Sequence, residues 1–238
     1  MNESRSVTPS LTQTRERMTK TGAAARPDLE DRAEDLKEWA LIHSKGLSIA
    51  AGVIVVLVGL AFLYVKSQQA QARNASSALL QAEQALGAGN SALAQSDLER
   101  IVNRYGSTDA GQEAQLLLAQ TYFDAGKYAE GVEGLQKLIA SKPKFIEASA
   151  YNLLGAGYEQ QNKFDDAAAA YQKAAGIAEG RGDRDTYLAN AARALTAGGK
   201  TSDAIKIWSK LATDPTSPAA AEARVRLGEL QAKAVKAG

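Results

Sequence analysis

The sequence predicts an all-α protein with one transmembrane helix, followed by a solenoid of about four helical hairpins and a closing helix. Three observations support this fold class. One uncharged apolar run interrupts a chain of 238 residues. The remainder is rich in Ala and poor in aromatic and β-branched residues, a composition that favours closely packed helices over sheets. A pattern of turns and apolar stripes then recurs every 36 or 37 residues, which indicates stacked repeats.

The apolar run is Leu47–Val65, which reads LSIAAGVIVVLVGLAFLYV and lies between Lys45 and Lys66. At about 1.5 Å rise per residue, its 19 residues cover the hydrocarbon thickness of a bilayer as a helix. A helix is the expected form because lipid offers no partner for a free backbone N–H. The alternative, a buried helix in a soluble core, normally keeps a polar edge. We therefore predict a transmembrane helix at residues 47–65.

Two segments precede this helix. Residues 1–27 are polar and lack apolar periodicity, which predicts a disordered cytoplasmic tail. Residues 28–46 predict an amphipathic juxtamembrane helix, in which Asp28 can cap the N-terminus and Leu36 and Trp39 share an apolar stripe. This helix could rest on lipid or on a partner protein, and the sequence leaves both possibilities open.

The orientation of the anchor follows from the lengths of its flanks. The arm before it is short and carries eight Lys and Arg residues, whereas long domains are translocated largely regardless of their charge. We therefore predict the N-terminus inside and the C-terminal region, residues 66–238, outside. Ala70-Gln71-Ala72 has the form of a signal cleavage site. The length of both the arm and the apolar run favours an uncleaved anchor over a cleaved signal.

Residues 66–238 consist of self-similar units. The equivalent turn residues Gly89, Gly126, Asn162 and Gly199 are separated by 37, 36 and 37 residues. A helical segment precedes each turn, and a second one follows it with an apolar stripe. These stripes are Leu98 and Ile101; Val132, Leu135 and Leu138; Ala168, Tyr171 and Ala174; and Ile205, Trp208 and Leu211. Residues 218–238 predict a lone closing helix in the same register.

The units resemble tetratricopeptide repeats, and the third unit carries the resemblance most specifically. The family's bulky, Leu-Gly and Tyr positions correspond to Tyr151, Leu154-Gly155 and Tyr158, and its second-helix positions to Ala167, Tyr171 and Ala174. In the second unit the matches are Leu118-Ala119, Tyr122, Leu135, Leu138 and Pro143; in the last full unit they are Ala192, Leu195, Ala204, Trp208, Leu211 and Pro215. The resemblance implies an α-solenoid. The period exceeds the family's usual 34 residues by two or three.

The layout over roughly residues 35–230 is similar to the bacterial ancillary subunit of the SecYEG translocon, a membrane-anchored periplasmic repeat protein. This resemblance rests on architecture and on the spacing of small residues, Leu and Gly. It implies a single-pass protein of the bacterial inner membrane with a periplasmic repeat domain. Its partners would be translocon subunits, periplasmic chaperones or exported chains. A scaffold subunit of another inner-membrane complex is the alternative.

The sequence gives no support to enzymatic chemistry. The chain has no Cys, and its single His lies before the anchor, so residues 66–238 cannot hold a His-based hydrolase triad. Ala194–Thr201 fits the loose form of a phosphate-binding loop, but it lies at a turn between two helices and not after a strand. From Ser67 onward, 19 Lys and Arg residues balance 19 Asp and Glu residues, which gives no electrostatic footprint for nucleic acid. We expect no enzyme activity, no metal and no cofactor.

The expected function is protein binding through a concave groove lined by the first helix of each unit. By the family's geometry, the candidate groove residues are Leu116, Gln120, Phe123, Asn152, Glu159 and Arg193. Their mixture of apolar and polar groups suggests an extended peptide or a partner helix as the ligand. The remaining large residues are assigned to packing: Tyr151, Leu154, Tyr158, Tyr171, Trp208 and Leu211.

Overall fold

The computed structural model describes residues 44–237 and the isolated positions 37, 39 and 42. This part of the chain forms nine helices and no strand. The helices are α1 (Ser44–Gly87), α2 (Ser91–Tyr105), α3 (Asp109–Asp124), α4 (Tyr128–Ala140), α5 (Glu147–Gln160), α6 (Phe164–Ile177), α7 (Arg181–Ala197), α8 (Thr201–Ala212) and α9 (Ala220–Ala237). The predicted tail at residues 1–27 and most of the predicted helix at 28–46 lie outside the described residues.

The chain divides into two units between Tyr64 and Val65. The first unit contains the apolar part of α1, where the large side chains from Val53 to Tyr64 are 53–70 % exposed. By length and composition, the helical stretch Gly52–Gly87 contains a segment that could cross a membrane, and none of this apolar segment is buried. Residues 47–65 are therefore helical, and the large apolar side chains from Val53 to Tyr64 are exposed.

The second unit consists of helical hairpins. The C-terminal part of α1 forms hairpin 1 with α2, and hairpins 2, 3 and 4 are α3–α4, α5–α6 and α7–α8. Helix α9 follows hairpin 4 without a second helix among the described residues. We call the first helix of each hairpin its A helix and the second its B helix. This arrangement confirms the predicted solenoid of about four hairpins with a closing helix.

The turns inside the four hairpins share one geometry. Gly89, Gly126 and Gly199 have φ angles of 75°, 72° and 78°, and Asn162 has 58°. This left-handed region suits Gly and is tolerated by Asn. The next residue donates its N–H to the carbonyl five positions back, as from Lys127 to Tyr122 at 2.8 Å. This bond is typical of a Schellman C-cap, which explains the recurrence of Gly or Asn at the repeat period.

Three B-helix positions are buried in every hairpin. The first is small, the second is bulky, and the third is aliphatic. They are Ala94, Gly131, Ala167 and Ala204; Leu98, Leu135, Tyr171 and Trp208; and Ile101, Leu138, Ala174 and Leu211. The bulky residues are at most 3 % exposed, and full burial of such a side chain stabilises by about 1.5–3 kcal/mol. The predicted apolar stripes therefore form the core of the solenoid.

Glycines on the A helices allow the hairpins to pack closely. A Cβ on Gly155 would lie 2.7 Å from Cε1 of Tyr171, on the B helix of the same hairpin. A Cβ on Gly157 would lie 2.5 Å from Cζ of Phe123, on the preceding A helix. These small residues leave room for aromatic rings between helices, as the repeat pattern predicts.

Candidate functional site

The six predicted groove residues occupy three equivalent positions on consecutive A helices. Leu116 and Asn152 share the first position, one repeat apart, and Gln120 and Arg193 share the second, two repeats apart. Phe123 and Glu159 share the third. The structure places these three positions in different surroundings.

Asn152 and Arg193 belong to one hydrogen-bonded network that joins three A-type helices. Asn190 on α7 donates from Nδ2 to Oδ1 of Asn152 on α5, at 2.8 Å. Arg193 donates to Oδ1 of the same Asn190 and to both carboxylate oxygens of Glu222 on α9, at 2.7 and 2.6 Å. These charge-assisted bonds fix the orientation of the guanidinium group. The network lines the A-helix side of hairpins 3 and 4 with amide and charged groups.

Hairpin 2 presents a less polar surface at the same positions. Gln120 is exposed and donates from Nε2 to Oδ1 of Asp124, one turn further along α3, at 2.9 Å. Leu116 is half-buried against the apolar cluster that contains Leu135 and Leu154. The A-helix surface therefore changes from partly apolar on α3 to hydrogen-bonded and charged on α7 and α9.

Phe123 differs from its prediction because it is a core residue. It is 9 % exposed and packs in the cluster with Leu135 and Leu154. The physical reason is that Gly131 and Gly157 leave room for its ring between helices. A side chain buried in this way fills the space between hairpins 2 and 3 and does not line an open groove.

Glu159 is half-buried and is held by a contact within its own hairpin. Its Oε2 accepts a hydrogen bond of 2.6 Å from the hydroxyl of Tyr171. Burial, followed by this hydrogen bond to Glu159, raises the pKa of the Tyr171 phenol far above its ordinary value. The phenol therefore stays protonated and acts as a structural donor.

The described residues hold no arrangement that suggests catalysis. No group of three or more His, Cys, Asp or Glu side chains there could hold a metal ion. The loose phosphate-loop pattern at Ala194–Thr201 spans the end of α7 and the turn of hairpin 4, with Gly199 in the left-handed region. Lys200 in this pattern is paired with Asp165 at 2.7 Å. These geometries support the structural interpretation of the motif.

Two members of the polar network were not predicted from the sequence. Asn190 bridges Asn152 and Arg193, and Glu222 holds Arg193 from α9. The sequence does contain a signal for both residues, because each is a polar, half-buried residue in an Ala-rich helix. Their pairing depends on how adjacent hairpins are offset, which no single repeat reveals.

Stacked antiparallel hairpins with left-handed Gly turns and small A-helix residues define an α-solenoid repeat protein. Residues 37–144 match a family described as a tetratricopeptide repeat-like domain. The match includes the apolar helix and the first two hairpins. The repeats of this chain are therefore tetratricopeptide-like, as predicted.

Solved structures show the same fold. A protein of Podosopora anserina with nearly identical TPR-like repeats has a TM-score of 0.56 at 19 % identity, covering 67 % of this chain and 86 % of that one. Pseudomonas aeruginosa pilF has a TM-score of 0.55 at 17 % identity, covering 70 % of this chain and 71 % of that one. No curated protein sequence matches the chain. Tetratricopeptide-like solenoids are generally scaffolds for protein interactions, and at these identities the structures establish the fold alone.

Proposed function

We propose that this protein is a membrane-anchored adaptor that binds other proteins through the A-helix side of its repeats. Its proposed setting is the bacterial inner membrane, with the N-terminus in the cytoplasm and the repeat domain in the periplasm. In this setting it acts as an ancillary translocon or periplasmic chaperone-type subunit. Its partners are translocon subunits, periplasmic chaperones or exported chains, and its anchor contacts the lipid bilayer.

The observation that carries this proposal is the combination of the two units. An apolar helix whose large side chains are 53–70 % exposed suits the hydrocarbon interior of a bilayer. The second unit is a repeat solenoid, which gives an extended surface for another polypeptide. The presence of an apolar helix and a repeat solenoid in one chain supports the attachment of a protein-binding module to a membrane.

The proposed binding surface follows the groove prediction with one change. Leu116, Gln120, Asn152 and Arg193 lie on the A-helix side, where amide groups and an apolar patch alternate. An extended chain could pair with the amides and place apolar side chains near Leu116. Glu159 stays at the edge of this surface, and Phe123 is left out because it is buried.

Site-specific photocrosslinking tests the adaptor proposal. Replacement of Gln120 by a benzophenone amino acid in the full chain places the probe on an exposed A-helix position. The matched control carries the same probe at Lys173, an exposed residue on the B helix of hairpin 3. We expect the Gln120 probe to capture translocon subunits and many exported chains, and the Lys173 probe to capture few.

The scaffold alternative gives a different pattern. If the Gln120 probe traps a single neighbour in a fixed ratio to the protein, the chain is a structural subunit of one defined complex. Equal labelling from Gln120 and Lys173 would contradict a binding role for the A-helix side.

The proposed orientation has its own test. Protease added to spheroplasts should digest the repeat domain and leave the arm before the anchor protected. Digestion of the arm with protection of the repeat domain would reverse the topology and remove the periplasmic partners from the proposal.

A further inference from the structure

The hydrogen bonds of the A-helix network run in one direction, which is set by its charged end. Arg193 carries only N–H donors and no acceptor, so the atom of Asn190 that it contacts must be the amide oxygen. The amide nitrogen of Asn190 then points the other way, toward Asn152 on α5. Asn152 must therefore present its own oxygen, and the bond from Nδ2 of Asn190 to Oδ1 of Asn152, at 2.8 Å, has this direction.

The amide nitrogen of Asn152 is left without a partner at the end of this network. Among the described residues, no acceptor lies within hydrogen-bonding reach of its Nδ2. The unpartnered side-chain atoms that are fully enclosed in the described chain are Oδ2 of Asp185 and Nε1 of Trp208, so Nδ2 of the half-buried Asn152 is open to solvent. The group that Asn152 offers at the surface is therefore a donor, which suits an acceptor from outside the chain.

The charges at the other end of the network balance, which favours a neutral acceptor. Glu222 accepts from Arg193 with both carboxylate oxygens, at 2.7 and 2.6 Å. Arg226 lies 3.8 Å from Glu222 and 3.1 Å from Glu229. Two guanidinium groups and two carboxylates leave no net charge to attract a free carboxylate or an amine. The neutral acceptor that a polypeptide carries at every residue is its backbone carbonyl.

Hairpin 2 has leucines where hairpins 3 and 4 have the two amides. On α3 the positions of Asn152 and Asn190 are occupied by Leu116 and Leu117. A chain that passes from α3 to α5 therefore meets an apolar contact first and a hydrogen-bond donor next. This order suits an extended segment, which can place a side chain near Leu116 and a carbonyl near Asn152.

We infer that Asn190, Arg193 and Glu222 are positioning residues, which hold the amide of Asn152 with its N–H groups free to donate to a backbone carbonyl of a bound chain. Asn152 is the residue that contacts the ligand, and the other three act through it. When the network is cut at Asn190, the Asn152 amide is free to turn over and present its oxygen instead. The inference rests on the proposed protein-binding function and specifies which atom of the ligand the surface recognises.

An isosteric substitution tests the donor in the full-length protein in detergent. The probe is an uncharged peptide without Asn or Gln, acetyl-Ser-Leu-Gly-Val-Ser-Leu-Gly-Val-Ser-amide, and isothermal titration calorimetry measures its affinity. Asn152→Asp keeps the oxygen that faces Asn190 and replaces the free N–H groups by a carboxylate oxygen. We expect this variant to bind the peptide at least tenfold more weakly. Asn103→Asp, the same change at an exposed position on the B helix of hairpin 1, should leave the affinity unchanged.

A second variant separates positioning from contact with the ligand. Asn190→Asp keeps an oxygen for Arg193 and removes the donor to Asn152. We expect at least fivefold weaker peptide binding with an unchanged or higher Tm, because the new carboxylate strengthens the contact with Arg193. In an Asn152→Ala background, Asn190→Asp should cause no further loss of affinity, because Asn190 acts through Asn152.

Several results would overturn the inference. They are a lack of peptide binding by the unchanged protein, an undiminished affinity in Asn152→Asp, and an additional loss from Asn190→Asp in the Asn152→Ala background. A peptide with Gln in place of its central Ser distinguishes a side-chain carbonyl from a backbone carbonyl. Binding that requires this Gln would overturn the assignment to the backbone.

The photocrosslinks from Gln120 keep this result separate from the proposed function. Partners that the Asn152→Asp protein captures equally well would leave the adaptor intact and remove the role of Asn152. Peptide binding that depends on Asn152, without captured partners, would support the carbonyl site and contradict the adaptor.

Discussion

The apolar residues of this chain have opposite surroundings in its two units. In the first unit, Val55 is 70 % exposed and Leu63 is 64 % exposed. In the second, Leu98 and Leu135 are 0 % exposed. The repeat supplies each buried Leu with neighbours from its own and adjacent hairpins, whereas the large side chains of the apolar helix are exposed. The comparison indicates that the hairpins stabilise one another, and that the apolar helix is long and apolar enough to cross a membrane.

The largest expected effect comes from placing charges in the apolar helix. In the double variant Leu57→Arg/Leu60→Arg, each arginine should add about 2.5–3.5 kcal/mol to the free energy of membrane insertion. We expect the double variant to leave the membrane fraction, as measured by carbonate extraction and sedimentation.

The control for this variant is Ser67→Arg with Gln69→Arg, placed on α1 just beyond the apolar run. These positions are exposed and polar, so the protein should remain in the membrane fraction. Retention of the Leu57 and Leu60 variant in the pellet after extraction would show that the apolar helix is not the anchor.

The second effect concerns the core of the repeats. Trp208→Ala removes a side chain that is 0 % exposed and should lower the free energy of unfolding by about 3–5 kcal/mol. Denaturant unfolding of the full-length protein in detergent, followed by circular dichroism, measures this loss.

The matched control for the core is Leu93→Ala, on a B helix but 49 % exposed. A surface substitution of this kind should change the free energy of unfolding by less than about 0.5 kcal/mol. If both variants unfolded at the same denaturant concentration, the assigned repeat register would be wrong.

The fold could be predicted from the sequence because its two strongest signals are local. A left-handed turn needs Gly or Asn, and a B helix needs a bulky residue nine positions after that turn, as in Leu135 after Gly126 and Trp208 after Gly199. Both signals recur with the period of the repeat, so each unit supports the others.

The A-helix surface could be predicted only in part, because its geometry depends on pairs of hairpins. Phe123 is buried because Gly157, on the next A helix, leaves room for its ring. Asn190 bridges Asn152 and Arg193 across two hairpins. Neither relation is visible within one unit.

A smaller effect is expected from the turns that define the repeat. Gly126→Ala should lower the free energy of unfolding by about 1 kcal/mol, because φ at this position is 72° and a Cβ disfavours that region. No atom lies within 4 Å of the added Cβ, so the loss reflects backbone conformation and not a clash. Denaturant unfolding measures this difference.

The control uses the hairpin turn that has Asn at the position where the other three hairpin turns have Gly. Asn162 already has φ of 58°, so Asn162→Gly should be neutral or slightly stabilising, within about 0.5 kcal/mol. A loss from Asn162→Gly as large as that from Gly126→Ala would contradict the shared turn geometry.

The smallest expected effect distinguishes two equivalent contacts between hairpins. The hydroxyl of Tyr122 donates to Oε1 of Glu99 at 2.9 Å, whereas the hydroxyl of Tyr158 accepts from Nε2 of Gln136 at 2.9 Å. Hydrogen bonds from Gln95 and then Tyr122 hold the pKa of Glu99 below its ordinary value, and Lys127 lowers it further. The first contact therefore contains a carboxylate, and the second contains an amide in its place.

Tyr122→Phe should lower the free energy of unfolding by about 0.5–1 kcal/mol at neutral pH, since the carboxylate is half-exposed. A carboxyl group whose pKa is lowered in the folded state stabilises the fold at pH values above its unfolded-state pKa. That contribution is lost as the pH falls through its folded-state pKa. The difference between Tyr122→Phe and the unchanged protein should therefore shrink between about pH 5 and pH 3. The difference for Tyr158→Phe should stay constant over the same range, as followed by denaturant unfolding at each pH. A Tyr158→Phe difference that shrank in parallel would show that the pH dependence arises elsewhere than at Glu99.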